Sequence, residues 1–132
     1  MRAALAPSVL LAGCAAGAEP LAVYTPPPGI SQVLEGPIAA APGHALIVGD
    51  LNLAPGAAIP RHWHHGEEFI YILGGSAVLS RQGEPDLALT SGQAIRIAPR
   101  TVHWGSAGPQ GLRAVSSWVM VEGKPLREAA PE

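Results

Sequence analysis

An all-β fold, a small sandwich or barrel in a single domain, is what this sequence predicts. From Ile30 onward short apolar segments recur, each cut off by Gly or Pro. No segment carries the sustained 3.6-residue apolar stripe that an amphipathic helix needs. At 132 residues the chain is long enough for one real core and too short for two.

Taken in order, the candidate strands are 31–34, 45–53, 59–64, 68–73, 77–81, 87–90, 94–98 and 113–121. The breaks between them carry turn chemistry: Ala54-Pro55-Gly56, Gly74-Gly75, Gln82-Gly83, Ser91-Gly92 and Gly108-Pro109. Many short strands, regular punctuation and no helix are the pattern of a sandwich or barrel.

Ahead of the strands lies a different composition. Residues 1–13 start with a cation, Arg2, continue through an apolar stretch at Val9–Ala12 and reach small residues just before Cys14. That is the layout of a secretory signal. Leu11-Ala12-Gly13-Cys14 resembles the lipobox of bacterial lipoproteins, which implies export and acylation of Cys14. An anchor of two or more acyl chains passes the threshold for stable membrane attachment, at about 0.8 kcal/mol per buried CH₂. The following residues, 14–29, are rich in Ala, Pro and Gly, and Pro26-Pro27-Pro28 favours extended polyproline geometry. As a tether they would reach roughly 45 Å at about 3.1 Å per residue.

Composition narrows the function classes. Hydrophobic residues make up 48% and charged residues 14%, which describes a folded body. The formal net charge is −2 and the basic residues stand singly, so nothing in the chain marks a nucleic-acid footprint. The single cysteine excludes an internal disulfide framework and a cysteine-based zinc cluster.

The chemistry concentrates in RHWHHGEEFIYILGG, residues 61–75. On a strand, His62 and His64 leave the same face and Trp63 the other. After a turn at His65-Gly66, Glu68 opens the next strand, and pairing across that turn would return it beside the two histidines. His103, where strand 94–98 runs into a turn, is the candidate fourth donor. Three imidazoles and a carboxylate suit Mn, Fe, Co, Ni, Cu or Zn and are poor for Ca or Mg. Four protein ligands leave one or two positions on a six-coordinate metal for water, O₂ or a substrate oxygen.

The spacing Gly56-x5-His62-x-His64-x3-Glu68-x6-Gly75 resembles the first motif of the cupin superfamily at every defined position. The second motif, Gly-x5-Pro-x-Gly-x2-His-x3-Asn, is kept at Gly92 and His103. Ala98 stands at its proline, Arg100 at its glycine and Ala107 at its asparagine, with Pro99 one position late. Glycine often marks a positive φ, so Arg100 is the departure that bears on geometry. The resemblance implies a jelly-roll β-barrel over residues 30–122, a C-terminal tail at 123–132, and one divalent transition metal held by His62, His64, Glu68 and His103.

Other polar residues carry less. His65 and Glu67 have the wrong parity for the site and are expected at the rim and in solvent respectively. His44 reads as a loop residue. Arg96, inside an apolar strand, needs a partner or a path to water. It would either bind an anion within the barrel or face outward toward a dimer partner. Trp63 and Trp104 flank ligand histidines and would cover the site mouth or an interface.

The expected function is an envelope-anchored, periplasmic metal-binding protein that takes a small molecule at the metal's open positions, with no nucleic acid as partner and a homodimer as its assembly. The alternative is a metal-dependent enzyme (a dioxygenase, isomerase or hydrolase). No residue nominates itself as general base.

Overall fold

The computed structural model describes residues 24–132, so the leader, Cys14 and most of the tether lie outside the described residues. Eight strands run in chain order: β1 (Gly29–Pro37), β2 (His44–Leu53), β3 (Ala58–Trp63), β4 (Glu68–Arg81), β5 (Leu87–Thr90), β6 (Ala94–Ile97), β7 (His103–Val121) and β8 (Glu128–Ala129). All pairings are antiparallel, and the all-β jelly-roll class follows from them.

Two long strands organise the rest. The N-terminal part of β4 pairs with β6 and with the C-terminal part of β7, and β7 in turn pairs with β2, which pairs with β1. The C-terminal part of β4 pairs with β5 and with the N-terminal part of β7, which continues to β3 and then β8. One sheet therefore reads β1-β2-β7-β4-β6 and the other β8-β3-β7-β4-β5. Both β4 and β7 bend and change sheets midway, as strands at the corners of a sandwich do.

The bends correct the sequence reading at two places. Gly74-Gly75 is not a hairpin turn. It is the irregularity at which β4 changes sheets, with register shifts between Ile72 and Gly74 and between Gly75 and Ala77. Gly75 has φ 70°, and a Cβ there would strike the carbonyl of Gly111. Gly108-Pro109 is likewise no strand boundary. The β7 ladder to β4 passes from Ala107 to Leu112, and the residues between them, which have no partner in β4, turn the corner. Proline is tolerated there because no ladder donor is required of it.

A third correction concerns the turn at His65-Gly66. It does not join a hairpin. Both edges of β3 are taken by β7 and β8, and the start of β4 lies between β6 and β7, so this turn crosses from one sheet to the other. Residues 123–132, read from sequence as a tail, carry β8.

Alternation builds the core. Over residues 45–51 of β2 and 112–118 of β7 every second residue is buried, and Ile47, Leu51, Leu112, Ala114 and Trp118 meet Ile72, Leu79, Leu89 and Ile97 between the sheets. Trp118 fits because its six-membered ring packs over Gly49, where a Cβ would collide with it. The opposite face of the first sheet is also apolar: Phe69, Tyr71, Leu73 and Leu34 are each 44–59% exposed.

Arg100 is the one non-glycine residue with positive φ among the described residues, at 62°. Its N–H donates to the carbonyl of His64 at 2.8 Å, so the turn is retained although glycine is not. A side chain in this region costs about 1–2 kcal/mol, part of which glycine returns as chain entropy in the unfolded state. Arg100→Gly is expected to stabilise the protein by about 0.5–1 kcal/mol, read as a rise of roughly 4 °C in melting temperature. An unchanged or lower melting temperature would show that the turn is not strained.

Candidate metal centre

Three side chains close in sequence and a fourth from a distant strand meet between the sheets. His62 lies near the end of β3, His64 just beyond it, Glu68 is the first residue of β4 and His103 the first of β7. Backbone register does much of the placing, since His62 is the direct partner of His103. The imidazole centroids are 4.2 Å apart for His62–His103, 4.8 Å for His62–His64 and 5.2 Å for His64–His103. One potential ligand atom from each of the four lies within 4.8 Å of the others, and all four residues are buried.

The tautomers follow from the partners. His62 Nδ1 lies 2.6 Å from the carbonyl of Pro60, His64 Nδ1 2.6 Å from that of Leu126 and His103 Nδ1 2.8 Å from that of Thr101. A carbonyl only accepts, so each Nδ1 carries the proton, and each ring in its neutral form presents a bare lone pair at Nε2. Glu68 is held the same way: Ser116 Oγ, fully buried, donates to its Oε1 at 2.5 Å. Its Oε2 is left facing His64 Nε2 at 3.1 Å and His103 Nε2 at 3.2 Å.

Those three atoms are buried and have no hydrogen-bond partner. Neutral rings protonated at Nδ1 have no proton to give Glu68, so acceptors face acceptors. Burial pushes His62 down to about 4, helped by the neighbouring His103 and His64, which keeps its lone pair free at neutral pH. For Glu68 burial works in the raising direction, while the hydrogen bond from Ser116 favours the ionised carboxylate. Three neutral nitrogens and a carboxylate oxygen converging without protons are what a divalent transition metal requires. The residues fit the ion, and backbone carbonyls behind each ring supply the orienting shell.

The other candidates fall outside this group. His65 turns away to Glu128 Oε1 at 3.1 Å and lies edge-on to Trp63 at 4.6 Å. Arg96 faces solvent and pairs with Glu67 at 3.0 Å, so it is not an anion site inside the barrel. That pairing lowers the Glu67 carboxyl. Trp104 stacks under the Arg61 guanidinium at 4.2 Å, and His44 opens β2. Sequence reasoning missed Ser116 and the carbonyl of Leu126. The alternation of Ala114, Ser116 and Trp118 already points the serine inward, whereas nothing local marks Leu126.

A cavity of about 420 Å³ adjoins the four residues. Of its 17 lining residues, 11 are aliphatic, among them Leu51, Ile59, Ile72, Leu79 and Leu89. Size and lining are those of a small-molecule site.

Fold and site together define a jelly-roll barrel with a three-histidine, one-glutamate metal centre. The cupin domain profile matches residues 49–118, just over half of the chain, and the chain belongs to the cupin family. No curated protein sequence matches it significantly. Solved structures similar in fold include a cupin-like protein from Thermotoga maritima, at 21% identity and TM-score 0.61, covering 78% of this chain and 75% of that one. The DMSP lyase DddQ from Ruegeria pomeroyi shares 21% identity at TM-score 0.58, covering 64% of this chain and 43% of the lyase. Oxalate decarboxylase from Bacillus subtilis shares 20% identity at TM-score 0.58, covering 64% of this chain and 23% of that enzyme. The chain thus spans less than half the length of either enzyme.

Removing a group that orients a metal ligand typically costs 10–100-fold in metal affinity. Ser116→Ala is expected to weaken Co(II) or Zn(II) binding about tenfold while the protein stays folded. A competition titration against a chelator reads this, and unchanged affinity would mean Glu68 does not ligate.

Proposed function

We propose that this is an envelope-anchored metal-binding cupin protein that holds one divalent transition metal at His62, His64, Glu68 and His103 and takes a small molecule at the remaining positions. The observation that carries the reading is the set of unpartnered, buried His64 Nε2, His103 Nε2 and Glu68 Oε2 beside a cavity of about 420 Å³. Mn, Fe, Ni, Zn and Cu all accept such donors. Catalysis by an oxygenase, isomerase or hydrolase mechanism is the second reading, favoured by the names of two fold relatives, a lyase and a decarboxylase. Binding is preferred because the described cavity lining offers no acid or base beyond the four ligands.

Metal analysis of the purified protein, then O₂-uptake and turnover screens with the metal found, separates the readings. Stoichiometric metal without turnover supports the binding protein, and turnover supports the enzyme. A metal-free protein that His62→Ala leaves equally stable would remove both. The exposed Phe69, Tyr71 and Leu73 support pairing of two copies through that sheet face. Sedimentation of the same sample checks it, and a monomer would exclude it.

Anchoring rests on residues 1–14 alone. In a bacterial host, an alkyne-tagged fatty acid is expected to label the protein and Cys14→Ser to abolish labelling and release it from membranes. Labelling that persists in the variant would refute the lipoprotein reading.

A further inference from the structure

The cavity wall is unusual for how little polarity it offers beyond the metal ligands. Apart from His62, His64, Glu68 and His103, its only side chains with polar atoms are Arg127, which is exposed, and Trp118. Trp118 is only 6% exposed, and its Nε1–H is buried without a hydrogen-bond partner. Its ring centroid lies 6.2 Å from that of His64, and the residue lines the cavity beside the metal ligands. The far edge of the indole is fixed over Gly49, which holds the ring in place.

We infer, resting on the metal-binding reading, that the cavity selects a molecule with one anionic oxygen head group and an apolar body, and that Trp118 donates to that head. Charge and polarity argue alike. A divalent ion with three neutral imidazoles and one carboxylate carries one net positive charge, so a single anionic group balances it. Trp118 can supply a hydrogen bond to an oxygen and has no competing partner among the described residues. Behind the head, aliphatic side chains such as Leu51, Ile72, Leu79 and Leu89 accept a hydrocarbon and offer no hydrogen bond, so a second polar group would find a partner in the lining only at the exposed Arg127. A short alkyl carboxylate is the simplest molecule of this class.

Full-length protein loaded with Co(II) is titrated with acetate, butanoate and hexanoate, and with adipate as the six-carbon diacid, following the metal's visible absorption. Affinity is expected to rise about fourfold for each CH₂ buried, with adipate at least tenfold weaker than hexanoate. Trp118→Phe should weaken all the monocarboxylates by roughly threefold to tenfold while leaving the chain-length dependence unchanged. Chain-length-independent affinity, or adipate equal to hexanoate, overturns the substrate class. An unaltered Trp118→Phe protein overturns the role of the indole. Should that variant misfold, the chain series in the wild-type protein still decides the class. Failure to bind Co(II) at all defeats the metal reading, and this inference with it, whereas Co(II) binding with a flat series defeats the inference alone.

Discussion

Lone pairs that face one another in a dry interior are a liability unless a cation lies between them, and this barrel is built around such a set. His64 Nε2 and His103 Nε2 stand 3.1 and 3.2 Å from Glu68 Oε2 with no proton to share among neutral rings. Side chains free to relax would rotate away from that contact. They are prevented by bonds on their far sides, from the imidazoles to the carbonyls of Pro60, Leu126 and Thr101 and from Ser116 to the carboxylate. Each bond also fixes a protonation state, so orientation and ligand chemistry are set by the same contacts.

The supporting groups are spread through the fold, and so is the site. Glu68 and Ser116 belong to the sheet of β1, β2 and β6, His62 and His103 to the sheet of β3 and β5, and His64 to the segment that crosses between them. An ion bound there ties the two sheets together across the core, so its binding free energy is added to that of folding. The bends in β4 and β7 are what allow this. A straight β4 would carry Glu68 on one sheet with no route for the same strand to join β5 on the other. Residues 123–132 enter the same account: Leu126 orients His64, and β8 pairs with β3 beside His62.

The legible part of the fold was the part written in local alternation. Strand 87–90 coincides with β5, and 45–53 and 94–98 match β2 and β6 to within one residue, because turn residues flank these apolar segments. The convergence of His62, His64, Glu68 and His103 is legible from parity and a spaced motif, since a period of two survives even where His64 leaves the regular strand. Bends were not legible. Gly74-Gly75 and Gly108-Pro109 have turn composition, and only the neighbouring strands decide whether a glycine pair reverses the chain or bends it. The crossing at His65-Gly66 failed for the same reason, as strand pairing is a property of both partners. Arg100 shows the converse: the turn persists with an arginine at φ 62° because the hydrogen bond to His64 and the pairing on either side over-determine it.

What the residues can contribute to chemistry is bounded by how fully they are already employed. Each imidazole of the centre has its proton committed to a backbone carbonyl, and each Nε2 points to the shared centre. Glu68 has one oxygen bonded to Ser116 and the other turned to the histidines. Releasing any of these for proton transfer would loosen the ligand it orients. The described lining adds no other carboxylate, imidazole, lysine or tyrosine. The protein's own share is therefore positional: it holds three imidazole nitrogens and one carboxylate oxygen together beside an apolar chamber, with the Trp118 indole in the same wall. A bound metal would supply Lewis acidity, and any proton moved in the chamber would have to come from the ligand or from solvent.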